Sequence, residues 1–146
     1  MKPINEMRLR IESRSVNEAF ARAATLDRSS AASDVYKRQD IKTAVSEAVT
    51  NCIVHAYADS VGQIYIWAGL YEDGGVRIKI RDTGCGIEDV KKAMEPLYTT
   101  LGEERAGLGF AVMESFCDRL GVRSAPGKGT TVTLTKYIKG RNGGDD

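Results

Sequence analysis

The sequence predicts an α+β fold, a two-layer sandwich in which helices cover one face of a mostly antiparallel sheet. Three observations predict it. Several short segments alternate apolar and polar residues, which is the two-residue period of half-buried strands. One long segment repeats apolar residues at steps of three and four, as an amphipathic helix does. Glycine-rich turns separate consecutive strand segments. The length, 146 residues, fits a single domain over residues 1–146.

The first predicted unit is a strand followed by a helix. Apolar and charged residues alternate over residues 7–11, which predicts the strand. Ser15 and Glu18 have the spacing of a capping box and predict that a helix begins there. We expect this helix to carry Phe20 and Ala24 on its inner face.

A longer helix is predicted over residues 40–57. Its apolar residues form one continuous stripe that should face the sheet. The stripe consists of Ile41, Ala44, Val45, Ala48, Cys52, Ile53 and Ala56.

Two strands follow the long helix. Residues 64–71 and 76–81 both alternate apolar and polar side chains, and Asp-Gly-Gly at residues 73–75 predicts the hairpin turn between them. After Asp82 the chain is rich in loop residues, with one short helical segment expected over residues 90–94.

The C-terminal part predicts a helix over residues 110–120 and then a strand pair. The strands are expected around Val122 and over residues 132–134, joined by Gly-Lys-Gly at residues 127–129. Residues 140–146 are predicted to be a disordered tail. The inner face of the helix should consist of Phe110, Met113, Phe116, Cys117 and Leu120.

Residues 25–39 do not fit this pattern, because they contain few large apolar residues and no period. One interpretation is a long surface loop. The other is an artefact of sequence assembly, since residues 34–39 (DVYKRQ) match one reading frame of a sequencing adapter. No function is assigned to this stretch.

Composition excludes several classes of protein. Hydrophobic residues make up 42% and charged residues 28% of the chain, so it can bury a core. With 21 basic and 20 acidic residues the net charge is only +1, which argues against binding nucleic acid or anionic membranes over a whole surface. The sequence contains neither a signal-peptide pattern nor a membrane-spanning apolar run, so a cytoplasmic protein is expected.

The cysteines indicate neither a disulfide framework nor a zinc site. Cys52, Cys85 and Cys117 are odd in number and widely spaced. We expect them to be small buried hydrophobic residues.

Three polar residues on the long helix are spaced four apart and should share one face: Glu47, Asn51 and His55. A solvated flank of the helix is one interpretation. The alternative is a functional site, because the apolar residues around them leave little of this helix facing water. A carboxylate next to a carboxamide can polarise a hydroxyl group and contribute an oxygen ligand to magnesium.

Two glycine motifs follow. The motif D-T-G-C-G at residues 82–86 comes directly after a strand, where glycines let the backbone approach a flat ligand and a carboxylate can accept a hydrogen bond from an amine. The motif R-A-G-L-G at residues 105–109 precedes a helix and combines a guanidinium with backbone amides, which suits phosphate. Each motif alone is common.

The order of these motifs resembles the GHKL family of ATPases and kinases. The resemblance covers residues 7–137, and its motifs are IKTAVSEAVTNCIVHAY at 41–57, IRDTGCGI at 80–87 and ERAGLGFAVMESFCD at 104–118. The G-x-G-T-T element at residues 127–131 completes the order. Within the family, the small serine protein kinases that act as anti-sigma factors in endospore-forming bacteria are the most similar. The resemblance implies the ATP-binding fold of that family, known as the Bergerat fold.

The resemblance also implies the roles of individual residues at the nucleotide. Asp82 would bind the adenine amino group with Thr131 near the same ring, and Gly84 and Gly86 would shape the pocket. Asn51 would hold magnesium. The phosphate tail of ATP or ADP would be bound by Arg105, Gly107 and Gly109.

Other residues are implied in catalysis and partner binding. Glu47 would be the general base that accepts the proton of a substrate serine. Thr99 and Thr100 would lie on a mobile lid over ATP. Arg22 would contact protein partners. His55 is expected to be a helix-edge residue near the nucleotide, not a phosphoacceptor.

The resemblance therefore implies an ATP- and magnesium-dependent protein serine kinase that doubles as an anti-sigma factor. It would inhibit a sporulation sigma factor of the sigma-F type and phosphorylate a serine of an anti-anti-sigma protein. A homodimer is expected, with the strand at residues 7–11 as a pairing edge. Two alternatives stay open: a non-catalytic anti-sigma module gated by nucleotide, and the stress-response anti-sigma kinase of the same family.

Overall fold

The computed structural model describes residues 2–28, 35–94 and 109–137. Within these ranges five strands, four α-helices and one π-helical turn follow one another along the chain. They are β1 (Asn5–Glu12), α1 (Val16–Arg28), α2 (Val35–Asn51), the π turn (Cys52–Ala56), β2 (Gln63–Leu70), β3 (Gly75–Asp82), α3 (Val90–Ala93), α4 (Phe110–Phe116), β4 (Arg119–Ala125) and β5 (Gly129–Tyr137).

The strands form one antiparallel sheet in the order β1-β2-β3-β5-β4. The β2–β3 connection is the predicted hairpin, closed by a hydrogen bond from the Tyr71 amide to the Gly75 carbonyl (2.8 Å). The β4–β5 connection contains the predicted Gly-Lys-Gly turn. The predicted α+β sandwich is confirmed, and β1 lies at an edge of the sheet as expected.

The core lies between the inner face of the sheet and the helices. Alternate residues of the central strands point inward, because successive side chains of a strand face opposite sides. Burial of each such aliphatic side chain contributes about 1.5–3 kcal/mol to folding. The largest fully buried residues include Ile64, Ile66, Ile78, Ile80, Val45, Val49, Phe110 and Met113.

The other side of the sheet, here called the outer face, carries basic and aromatic residues in rows across the strands. One row is Arg10, Tyr65, Arg81, Thr131 and Arg123. The Arg81 guanidinium lies 4.2 Å from the centre of the Tyr65 ring, within cation–π range. The outer face is therefore basic, although the net charge of the whole chain is only +1.

The prediction for the inner face of α1 was wrong at Phe20, which is 56% exposed. Ala21 and Thr25 are buried instead, four residues apart and therefore on the same side of the helix. The Thr25 hydroxyl donates to the Ala21 carbonyl (2.8 Å), so its polar group is satisfied without water.

The prediction of a surface loop over residues 25–39 was also wrong at both ends of that range. Residues 25–28 complete α1 and residues 35–39 open α2, while residues 29–34 lie outside the described ranges. Extending an existing helix needs no new nucleus, and lysine, arginine and glutamine have good helix propensity. Residues 25–28 and 35–39 are therefore helical although their sequence shows no apolar period.

The helix that follows Gly109 is shorter than predicted. It ends at Phe116, and Leu120 belongs to β4, where it pairs with Leu134. The Asp118 amide donates to the Thr135 carbonyl (2.8 Å), and the Asp118 carboxylate accepts from the Tyr137 amide (2.7 Å). Pairing with β5 therefore replaces the last helical turn. The predicted tail at residues 140–146 lies outside the described residues.

Candidate functional site

A cavity of about 660 Å³ lies on the inner side of the sheet. Helix α2 and the π turn form one wall, the ends of β3 and β5 form the floor, and α3 lies at the opening. The lining combines apolar side chains, among them Ala48, Ala56, Ile80, Phe110 and Val132, with a comparable share of polar and charged ones. A flat ring can pack against the apolar residues while the polar groups orient it.

Asp82 is the buried charge on the floor of this cavity, and its side chain is only 5% exposed. Its Oδ1 accepts from the Gly84 amide (2.9 Å) and its Oδ2 accepts from the Cys52 thiol (3.5 Å). No ion pair joins it to a basic residue in the described ranges. A carboxylate has about four acceptor positions, so it can still accept a hydrogen bond from a ligand amine.

The three cysteines differ from the uniform burial that the sequence predicted. Cys52 is buried, Cys117 is half-buried and Cys85 is exposed on the cavity wall. Burial, and then the nearby Asp82 carboxylate, raise the pKa of the Cys52 thiol well above its usual range. Cys85 is exposed because the tight glycine loop leaves its side chain outside the core.

The loop at residues 82–86 requires glycine for close packing. A Cβ atom at Gly84 would collide with the Ala56 carbonyl oxygen of the π turn. Gly86 has a φ of +79°, and a Cβ there would collide with the Ala125 carbonyl oxygen at the end of β4. The loop is therefore held between the π turn and the β4–β5 connection.

The π turn forms the part of the cavity wall against which this loop packs. Its wide ring is closed by a hydrogen bond from the Tyr57 amide to the Cys52 carbonyl (3.0 Å). The Tyr57 hydroxyl accepts from the Thr83 amide (2.8 Å) and donates to the Gln63 carbonyl (2.7 Å). His55 belongs to this turn and lines the cavity.

The predicted polar stripe on the long helix divides at the site. Asn51 and His55 line the cavity, whereas Glu47 does not. A Cβ at Gly109 would collide with Glu47 Oε1, so the carboxylate lies against the residue that precedes Phe110 of the cavity wall. Gly109 has a φ of +69°, which glycine adopts without strain.

Thr131, which was predicted to lie near the adenine ring, does not line the cavity. Thr130 lines the cavity and pairs with Asp82 across β5 and β3, whereas Thr131 pairs with Arg81 on the outer face. A one-residue shift moves a strand side chain to the other side of the sheet. The Thr130 hydroxyl lies 2.8 Å from the Ser124 hydroxyl.

Arg22 lies on α1, away from the residues that line the cavity. Its guanidinium is 3.6 Å from Glu18, which also accepts a hydrogen bond from Ser46 of α2. Thr99, Thr100, Arg105 and Gly107 lie outside the described residues.

The side chains that line the cavity could hold magnesium only together with oxygen atoms of a bound ligand. In the part of the chain that the structure describes, no group of three or more His, Cys, Asp or Glu side chains could hold a metal. Asn51, whose side chain has one amide oxygen, lines the cavity, and magnesium usually takes few protein ligands together with phosphate oxygens and water. Across the described residues, no helix is long and apolar enough to cross a membrane.

The sequence reasoning missed five polar cavity residues: Cys52, Glu88, Asp89, Lys92 and Thr130. The signal for Thr130 was present, because Val132 and Leu134 were already predicted to face inward and Thr130 shares their parity. Cys52 and Lys92 carried no such signal, since their position depends on how distant elements pack.

Comparisons with known proteins agree with this geometry. The family described as histidine kinase-like ATPase domain matches residues 6–136. An anti-sigma F factor of Caldanaerobacter subterraneus subsp. tengcongensis is 54% identical over 94% of this chain and 96% of its own length. An anti-sigma F factor of Geobacillus kaustophilus is 46% identical over 92% of this chain and 93% of its own.

Solved structures share the fold. The RsbU and RsbW domains of a Mycobacterium tuberculosis protein superpose with a TM-score of 0.68 and 26% identity, over 93% of this chain and 32% of that one. The histidine kinase domain of a blue-light activated histidine kinase from Erythrobacter litoralis superposes with a TM-score of 0.54 and 24% identity, over 71% of this chain and 46% of that one. The second likeness concerns the fold alone.

Proposed function

Because the chain belongs to the histidine kinase-like ATPase domain family and, within it, to the anti-sigma F factors, we propose that it is an ATP-dependent protein serine kinase and anti-sigma factor. Its partners are a sigma factor of the sigma-F type and an anti-anti-sigma protein that it phosphorylates on serine. It acts as a homodimer.

One observation carries the nucleotide assignment: the Asp82 carboxylate is buried on the floor of the cavity and has acceptor positions left for a ligand. The exocyclic amino group of adenine supplies the missing donor, and Ile80, Phe110 and Val132 offer apolar surface to the ring. A base with a carbonyl oxygen at that position would place acceptor against acceptor. The site therefore selects ATP and ADP.

The phosphates are held toward the α2 end of the cavity. Asn51 Oδ1 is the side-chain oxygen that would hold magnesium, and the ion would neutralise charge on the phosphate oxygens when bound. From the sequence motif, Arg105, Gly107 and Gly109 contribute a guanidinium and backbone amides to the phosphate tail.

Glu47 is proposed as the general base. Its carboxylate accepts the proton of the partner's serine hydroxyl as that oxygen bonds to the γ-phosphorus, while the bond to the β–γ bridging oxygen breaks and ADP leaves. The position of Glu47 beside Gly109, one helical turn from Asn51, supports this role. Phe110, which follows Gly109, lines the cavity, whereas Glu47 does not.

Partner binding is assigned to the surface around Arg22 on α1. The Arg22 side chain is 41% exposed and does not line the cavity, so a partner can contact it while nucleotide is bound. The sigma-F type of partner is supported by the anti-sigma F relatives, which are 46–54% identical to this chain.

The test has two steps. Calorimetric titration with ATP and ADP, with and without magnesium, should show binding that Asp82→Asn removes. Glu47→Gln should then abolish phosphate transfer to a serine-containing anti-anti-sigma protein and leave ATP and sigma-factor binding intact. Transfer by Glu47→Gln at the wild-type rate would contradict the general-base role. Absence of transfer by the wild type, with sigma binding retained, would favour a non-catalytic module gated by nucleotide.

A further inference from the structure

The floor of the cavity contains a contact that the proposed function does not use. The Cys52 thiol, on the first residue of the π turn, donates to Oδ2 of Asp82 (3.5 Å). The Gly84 amide donates to the other oxygen, Oδ1 (2.9 Å). Cys52 is 3% exposed and Asp82 is 5% exposed, so water does not replace either donor easily. Two donors from different elements therefore fix the plane of this carboxylate.

The two donors are unequal in strength. A backbone amide is a full hydrogen-bond donor, whereas a thiol is a weak one. Oδ2 therefore keeps more of the negative charge than Oδ1 and is the better acceptor for a ligand amine.

The thiol keeps its proton under ordinary conditions. Burial, followed by the charge of Asp82 and the hydrogen bond to it, raises the pKa of Cys52 well above its usual range. An ordinary thiol already carries its proton at neutral pH, so the contact of 3.5 Å with Oδ2 places Cys52 as a donor to the carboxylate.

We infer that Cys52 is a positioning residue for nucleobase selection: its S–H group holds Asp82 in the orientation that accepts the 6-amino group of adenine. The inference rests on the proposed function, since it concerns the same cavity and the same carboxylate. Removing the thiol should reduce the contribution of the amino group and spare the contacts to the rest of the nucleotide.

The experiment compares two ligands, ATP and purine riboside triphosphate, which lacks the 6-amino group. Calorimetry should show that Cys52→Ala weakens ATP binding about threefold to tenfold and leaves binding of the analogue unchanged. Cys52→Ser should keep the wild-type preference, because a hydroxyl donates to the same oxygen. Cys117→Ala is the matched control, since that thiol is half-buried but contacts the Met113 and Arg119 carbonyls instead.

The outcomes separate the inference from the proposed function. If the wild type binds both ligands equally and Asp82→Asn changes neither, the adenine role of Asp82 fails, and the inference fails with it. If the wild type prefers ATP through Asp82 and Cys52→Ala keeps that preference, only the role of Cys52 is overturned. Equal weakening of both ligands would also overturn it, because a purely structural residue acts in that way.

A second measurement covers the case in which Cys52→Ala does not fold. The S–H stretching band of Cys52, identified by its loss in Cys52→Ser, should shift in the infrared spectrum when ATP binds to the wild-type protein. Asp82→Asn should shift the same band without ATP. A band that responds to neither change would overturn the inference.

Discussion

Thr130 and Thr131 are neighbours of the same residue type on opposite sides of the sheet. Thr130 lies in the cavity across from Asp82, and Thr131 lies on the outer face beside Arg81. We expect Thr130→Val to weaken ATP binding about threefold to tenfold, because it removes one hydrogen-bonding group from the site. Thr131→Val should leave the affinity unchanged. Calorimetry measures both, and equal affinities for the two variants would contradict the assignment of the cavity face.

The buried Cys52 thiol makes stability depend on pH in the alkaline range. Its pKa is raised in the folded state, so the unfolded state loses the proton at lower pH than the folded state. Stability is unaffected below the ordinary thiol pKa of about 8.5 and decreases as pH rises above it, toward the raised value. Urea denaturation should show a steeper loss of unfolding free energy above about pH 8.5 in the wild type than in Cys52→Ala. Parallel curves would contradict this.

At the scale of the elements, the loop at residues 82–86 and the π turn act as one unit. A methyl group at Gly84 would meet the Ala56 carbonyl oxygen, so Gly84→Ala should lower the unfolding free energy by about 1–3 kcal/mol and weaken ATP binding. The control is Gly121→Ala on β4, where a Cβ would lie 4.0 Å from Thr133, an ordinary contact. Thermal and urea denaturation should show a loss only for Gly84→Ala. Equal stability of the two variants would mean that the loop can move away from the π turn.

The strands were predictable because each has one buried and one solvated face. Strict alternation then appears directly in the sequence, as in β3, where Val76, Ile78 and Ile80 face the core. The Asp-Gly-Gly hairpin and the short helix α3 were predictable from local signals of the same kind.

The helix boundaries and faces were less predictable, because packing decides them. Phe20 was expected to be inside, yet the small residues Ala21 and Thr25 face the neighbouring elements. The last turn before Leu120 was lost to strand pairing, a long-range interaction that no local pattern encodes.

The candidate site, too, could be predicted from the sequence only in part. Asp82 and Asn51 were found from motifs and lie together at the cavity. The contact of Cys52 with Asp82 joins residues that are 30 positions apart in the chain. It could not be predicted from a local sequence pattern, because it depends on how the elements pack.

For the whole molecule, the exposed edge of β1 is the proposed site of pairing with a second copy. An edge strand leaves backbone donors and acceptors unpaired, and β1 lies at one end of the sheet order. Arg8 and Arg10 lie along it between exposed Glu6 and Glu12. Reversing both charges, Arg8→Glu with Arg10→Glu, should weaken the dimer by placing a run of like charges along the edge. Sedimentation velocity measures the ratio of monomer to dimer. If this ratio is the same in the variant and the wild type, pairing through β1 is contradicted.

The outer face also has an optical consequence. Trp67 is the single tryptophan of the chain, and it lies on this face with its indole N–H donating to Glu6 of β1 (2.7 Å) and Lys79 at 5.7 Å from its ring. The nucleotide cavity is on the opposite side of the sheet. Intrinsic fluorescence therefore reports on the edge strand and on anything that covers the outer face, while a nucleotide in the cavity leaves the emission unchanged. Trp67 is thus an intrinsic fluorescent probe of assembly through β1 or the outer face, and its signal is independent of nucleotide binding.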